Sequence, residues 1–311
     1  MPCENLHFFR GFSVTVLVFD VYFQRKHGRE IQMSITAAEI EKVILMEDDF
    51  GHEMRVGSIL KPENIKYPQH LFFRSRFSNP SHGETYTDPV TGKARQYDFR
   101  TQISHGQYRE RNISLAIECK NLNPELPLVI CGRERTEKES YHLCISTDGE
   151  KSQLMKVRGA NSLYKPGTFV GKSILRLRSK DKKLCSEGDS EIYDRYSQAL
   201  ASSRDLILAA FQKRAEPSYS FILPLVVVPD DSLWIAEYDD NGKPNEPKKI
   251  NCCDYFVAYK TNVGIAFVLT HVRFVTMTGL SDLLATFANS DFHVWDEIFS
   301  RAAIVIAPDP T

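Results

Sequence analysis

Apolar and polar positions along this chain recur in two rhythms, one helical and one of strands. The helical rhythm begins at residue 36. Thr36 is placed to cap a helix, Glu39 three residues on completes a capping box, and Ile40, Val43 and Ile44 share one face. Asp48 or Asp49 restarts the helix, Met54, Val56, Ile59 and Leu60 continue an apolar side, and Pro62 stops it. Strands then follow. Leu71 to Phe77 reads as one, and Arg95 to Ile103 reads as its return after a loop over 78–92. Within that loop Asp88-Pro89-Val90-Thr91-Gly92 marks a turn. Ile113 to Cys119 is an apolar strand that ends in charge, and Leu128 to Ile130 is short and extended.

Further on, the pattern predicts a helix over 137–144 and a polar, loop-rich stretch over 147–188. It predicts a long helix from Glu191 to Lys213 carrying Ile192, Leu200, Leu206, Ile207 and Phe211, with Pro217 just beyond. Phe221 to Val228 is apolar throughout, as expected of a central strand buried on both faces. Leu233 to Tyr238, Tyr255 to Tyr259 and Ile265 to Val275 read as strands, with a turn at 239–242. A C-terminal helix covers 280–300. There is no internal repeat or linker. The expected architecture is one elaborated α/β domain over 36–311, a mixed central sheet flanked by helices.

Residues 1–35 are set apart as an N-terminal segment of uneven character. Val14, Val16 and Val18 alternate there as in a strand, and a second start-like methionine stands at Met33. The run from Phe12 to Phe23 is too short for a membrane span and contains Asp20. No membrane partner is therefore expected.

Composition narrows the function classes. The 311 residues are 42% hydrophobic and 25% charged, which suits a globular protein of ordinary kind. The formal net charge is −1, so any nucleic-acid surface has to be a local patch. Seven cysteines, an odd number with no C-x-x-C spacing, argue against a disulfide framework or a structural zinc site and point to the cytoplasm.

The candidate chemistry starts at Ile117-Glu118-Cys119-Lys120. On a strand, Glu118 and Lys120 point the same way and Cys119 the other. Unpaired burial of either charge would be costly, so they need a cleft, a metal or each other. Upstream, Asp98 stands between Tyr97 and Phe99 on the preceding strand. If the two strands are neighbours, Asp98 and Glu118 approach closely, and a divalent cation relieves their repulsion. Oxygen ligands of this kind, with the Cys119 backbone carbonyl as another, suit Mg²⁺ or Mn²⁺. Such an ion can activate water for attack on a phosphodiester, and Lys120 can orient that water or stabilise the charge that builds on phosphate.

Asp98 followed by Glu118-Cys119-Lys120 resembles the bipartite signature of the restriction-endonuclease-like, or PD-(D/E)XK, nuclease superfamily. The series of elements over roughly residues 36–228 is similar as well, although Tyr97 stands where many members have Pro. The resemblance implies a three-layer α/β core and Mg²⁺-dependent (or Mn²⁺-dependent) hydrolysis of DNA, with RNA left open as substrate. It implies Asp98, Glu118 and Lys120 as catalytic residues and Asp98, Glu118 and the Cys119 carbonyl as metal ligands. Many members carry a further acid on the first helix; Glu53 is the candidate and Glu47 its rival. Members often cut as homodimers, which the resemblance leaves open for this chain. Some folds of this kind serve only as binding modules, so a catalytically silent nucleic-acid-binding or protein-interaction module is the alternative.

Other signals weigh less. Gly171-Lys172-Ser173 lacks the glycine spacing of a phosphate-binding loop, since Pro166 stands where the first Gly is required. Lys172, Arg176, Arg178 and Lys180, with Lys182 and Lys183, form the strongest basic cluster, a candidate contact for a phosphate backbone or simply a solvated loop. His105 follows the Asp98 strand, but a structural histidine is the better expectation. Trp234 and Trp295 are expected in the core or at its margin, and Cys252-Cys253 reads as a strand or loop pair.

Overall fold

The computed structural model describes residues 36–46, 48–65, 75–88, 90–105, 110–122, 125–148, 151–159, 162–180, 183–186, 189–212, 217–262, 266–288, 292–299 and 304–306. The chain divides into two units, Met1–Leu45 and Met46–Thr311.

In the first unit, α1 (Ala37–Met46) starts as its sequence dictates. Glu39 Oε2 accepts from the Thr36 N–H at 2.8 Å and Thr36 Oγ1 accepts from the Glu39 N–H at 3.3 Å, the reciprocal bonds of a capping box. Ile40 is exposed, and the side chains of Val43, Ile44 and Glu47 lie outside the described residues.

The second unit begins with α2 (Asp49–Leu60) and continues through the short strands β1 (Arg76–Phe77), β2 (Ser81–His82), β3 (Thr85–Thr87) and β4 (Ala94–Gln96). Longer strands follow: β5 (Phe99–His105), β6 (Glu110–Cys119), β7 (Leu128–Glu134), β8 (Tyr141–Thr147), β9 (Ser152–Arg158), β10 (Phe169–Lys180) and β11 (Lys183–Ser186). Next come α3 (Asp189–Gln212), β12 (Ser218–Val228), β13 (Leu233–Glu237), β14 (Lys248–Lys249), β15 (Cys252–Asn262) and β16 (Ala266–Thr276). The chain closes with α4 (Met277–Ala288), α5 (Phe292–Ile298) and β17 (Ile304–Ile306). No helix among the described residues is long and apolar enough to cross a membrane.

The architecture is a large mixed sheet flanked by few helices. Its main path runs β1-β5-β6-β12-β16-β15-β10-β7-β13-β14. β12 is central, with β6 and β16 parallel to it on either side, and it is buried from Phe221 to Val228. Alternation along it fills two cores. Phe221, Leu223, Leu225 and Val227 join Val56 and Leu60 of α2 and Leu280, Leu284 and Trp295 of the C-terminal helices. Ile222, Val226 and Val228 join Tyr196, Ala199, Leu200 and Ile207 of α3 on the opposite face. The fully apolar strand that the sequence predicts is thus the partition between two apolar layers.

α2 buries His52, Val56 and Leu60, a row with a four-residue step. The expected apolar side is right for Val56, Ile59 and Leu60, but Met54 is exposed and the first inward position is a histidine. Gly57 lets the helix lie close to the sheet, because a Cβ there would meet the Phe99 ring at 3.0 Å.

Three expectations are corrected. Residues 137–139 form a turn, not a helix, and β8 follows. Glu139 accepts from the Thr136 N–H at 3.0 Å and Ser140 Oγ donates to the Thr136 carbonyl at 2.7 Å, so local side chains close the backbone where helix-forming residues suggested otherwise. The polar stretch over 147–188 contains β9, β10 and β11. β10 buries Val170 and Ile174 and presents polar residues between them, which reads as loop when the apolar set is sparse. The expected C-terminal helix is two helices, α4 and α5. Trp295 is fully buried and Trp234 half-buried, as expected.

Candidate active site

The β5–β6 pair is antiparallel, with Phe99 opposite Ile117. Asp98 immediately precedes Phe99 and so comes level with Glu118. The chain is pinned at this point, since the Asp98 carbonyl accepts from the Gly83 N–H at 3.2 Å. The Asp98 carboxylate turns to the neighbouring strand, where Oδ2 accepts from the Cys119 N–H at 2.6 Å. That bond is one the end of β6 would otherwise leave to water.

Glu118 is 2% exposed. Its Oε1 lies 2.5 Å from Lys120 Nζ, which confirms the shared face that strand alternation requires. From α3, the amide nitrogen of Gln198, turned toward the carboxylate, donates to Oε2 at 2.9 Å and also reaches Oε1. Cys119 points the other way, into the core with Val56 and Phe99. The Lys120 backbone is held by β12, its N–H donating to the Val227 carbonyl at 2.9 Å.

That same carbonyl lies 3.2 Å from His52 Nε2. His52 is fully buried, which lowers its pKa from the ordinary histidine value, and since its partner is a carbonyl, Nε2 is the donor. Helix α2 is thereby fastened to β12 beside the end of β6, and its next residue is Glu53. Glu53 Oε2 is 3.1 Å from His82 Nε2, and the His82 ring stacks on Phe99 with centroids 4.4 Å apart.

Glu53, Asp98, Glu118 and Lys120 therefore share one electrostatic neighbourhood, built from α2, the residue before β5, and the end of β6. Burial pushes the Glu118 carboxyl up to about 8; Lys120 opposes this, while Asp98 and Glu53 reinforce it. Burial also raises Asp98, against the pull of the Cys119 N–H, and the charge on Glu53 adds to the rise. Three acids thus face one lysine. Among the described residues, no three His, Cys, Asp or Glu side chains stand close enough to hold one metal ion as they are arranged.

A second network frames the site. Asp88 and Arg204, both buried, form an ion pair, and Arg95 Nε meets Asp88 at 2.7 Å. Arg100 binds Asp205 at 2.8 Å and lies over the ring of Tyr97 at 4.2 Å. Together they fasten the β3–β4 ribbon, which leads into Asp98, to α3.

The remaining candidates stand elsewhere. Lys172 lies in β10, paired with Glu139 and set over the Phe256 ring at 4.6 Å. β10 is four strand steps from β6 along the main path, roughly 19 Å measured along the sheet. Arg176 shares that strand, and the side chains of Arg178, Lys180, Lys182 and Lys183 lie outside the described residues. His105 is at the far end of β5 from Asp98, stacked on Trp295 at 5.0 Å, and is not part of the site. Sequence reasoning missed Gln198, His52 and His82. Only His52 carried a signal, its place in the inward row of α2.

Comparison with protein-family models, with curated proteins and with solved structures gave no match.

Proposed function

We propose that this protein is a divalent-metal-dependent nuclease of the restriction-endonuclease-like kind, hydrolysing phosphodiester bonds in DNA. The observation that carries the reading is that Glu53, Asp98, Glu118 and Lys120, which arrive from three separate elements, act on one another electrostatically. The order of elements supports it too: a first helix, the β5–β6 hairpin, helix α3 and a parallel β12 beside β6.

The residues fit Mg²⁺ or Mn²⁺ by donor chemistry and by charge. All are hard oxygen donors, and three mutually repelling carboxylates with one lysine are under-compensated. Asp98, Glu118 and the Cys119 carbonyl would hold the ion, with Glu53 completing the set. When bound, the ion supplies Lewis-acid polarisation of phosphate and acidifies water. Lys120 orients the attacking water and stabilises charge on the phosphoryl oxygens. Gln198 steadies Glu118, and His82 steadies Glu53.

A second reading has its own support. Glu118 is already engaged by Lys120 and Gln198, and Asp98 by the Cys119 N–H. A protein that keeps these internal bonds would be a silent nucleic-acid-binding module.

Cleavage of supercoiled plasmid with Mg²⁺ or Mn²⁺ separates the two. Nicking by the wild type that Lys120→Ala and Glu118→Ala abolish, with folding intact, is the expected result. Failure of well-folded wild type to cut plasmid, linear DNA, single-stranded DNA or RNA selects the silent module.

A further inference from the structure

Glu53 and His82 form the part of the candidate site that solvent reaches. Their side chains are 26% and 34% exposed, whereas Glu118 is buried. They come from separate elements, and each is fixed in place. Glu53 follows His52, which fastens α2 to β12. His82 ends β2, where it pairs with Phe99 of β5, and its ring lies 18° from parallel to the Phe99 ring. The next N–H, that of Gly83, donates to the Asp98 carbonyl. The imidazole is thus tied to the same point of the sheet as Asp98.

The spacing of the two polar atoms is informative. His82 Nε2 lies 3.1 Å from Glu53 Oε2. Two ligands at right angles around a small divalent cation, each about 2.1 Å from it, stand roughly 3 Å apart. The pair already has that spacing. A carboxylate only accepts, so as arranged Nε2 carries a hydrogen and donates it to Glu53. With its one hydrogen on Nδ1 instead, the neutral ring turns a nitrogen lone pair to the same point. Asp98 lies within electrostatic reach of both residues. Among the described residues no three such side chains stand close enough to hold one ion as they are arranged, so the pair would share an ion with water. Small divalent ions keep several waters in sites of this kind. An ion pair as exposed as this one contributes little to stability, so folding alone gives little reason for it.

We propose that His82 Nε2, beside Glu53 Oε2, is a ligand of the divalent ion in the candidate site, and that it biases the site toward Mn²⁺ over Mg²⁺. Imidazole nitrogen serves first-row transition ions, whereas Mg²⁺ holds to oxygen and water. The inference rests on the metal-dependent reading given above. It adds to an all-oxygen set the nitrogen donor that tells the two ions apart.

Mn²⁺ is the probe, bound to the full-length wild type and observed by pulsed EPR. A ¹⁴N modulation from directly bound imidazole is expected, replaced by a ¹⁵N modulation in ¹⁵N-histidine protein and absent from His82→Gln. That variant is expected to bind Mn²⁺ about tenfold more weakly, with its Mg²⁺ affinity changed less than about threefold. Isotope substitution in the wild type carries the test should the variant fail to fold. Mn²⁺ bound without a histidine nitrogen, a modulation that survives in His82→Gln, or equal losses for the two ions overturns this inference and leaves the metal-dependent reading standing. No Mn²⁺ bound by the wild type overturns both.

Discussion

Asp98 Oδ2 accepts a hydrogen bond from the backbone N–H of Cys119 at 2.6 Å, so the carboxylate that precedes one strand caps the end of its neighbour. This bond ties the position of Asp98 to that of Glu118 and Lys120 on either side of Cys119. Asp98→Ala leaves a part-buried N–H without its partner and should cost about 1–3 kcal/mol. Asp98→Asn keeps an acceptor and should cost less. Urea unfolding of the two variants checks the order, and equal losses would argue against the capping role.

Glu118 gives the protein a pH dependence of defined sign. Its carboxyl titrates near 8 when folded, above the ordinary value of 4.5. The folded state therefore holds a proton that the unfolded state has released. Stability from this group falls as pH rises from about 4.5 to about 8, the reverse of a salt-bridged carboxylate. Glu118→Gln should flatten this part of the profile, measured as the urea midpoint between pH 5 and pH 8.

Divalent ions should reverse that trend under the proposed function. An ion that binds only the folded state stabilises it by about 2.7 kcal/mol at a hundredfold excess over its Kd. Mn²⁺ should raise the melting temperature of wild type most at pH 8, and much less in Glu118→Ala. A melting temperature indifferent to Mn²⁺ in wild type would count against metal binding.

The Asp88–Arg204 pair holds the ribbon that leads into the site. Both side chains are buried, so removing one strands the other. Asp88→Ala should cost about 3–5 kcal/mol, and replacing both residues with apolar ones should recover much of the loss. A chemical-denaturation double-mutant cycle measures this directly.

His52 links α2 to the Val227 carbonyl that also receives Lys120. His52→Leu keeps the bulk and removes the donor. The expected loss is about 0.5–1.5 kcal/mol in stability. Under the proposed function a larger relative fall in cleavage is expected, because Glu53 and Lys120 lose their common anchor. His52→Gln should restore part of the cleavage rate.

Much of this was legible beforehand where residue type and period agree. Glu118 and Lys120 share a face because a strand admits no other arrangement, and the Thr36–Glu39 box and the buried run of β12 follow from equally local rules. Gln198 and His82 were not legible. Each reaches its acid through an approach of distant segments that no local pattern encodes. β8 was misread because the turn before it is closed by side-chain bonds in a run of helix formers.

The pairing of β6 with β12 also has a consequence in time. The two strands touch along ten positions yet lie about a hundred residues apart in the chain. During synthesis, β6 with Glu118 emerges well before the strand that will cover its flank, and at the usual pace the interval is several seconds. Through that interval an apolar edge with unpaired backbone groups is open to other chains. The protein's yield in a cell should therefore depend on chaperones far more than its folded stability would suggest.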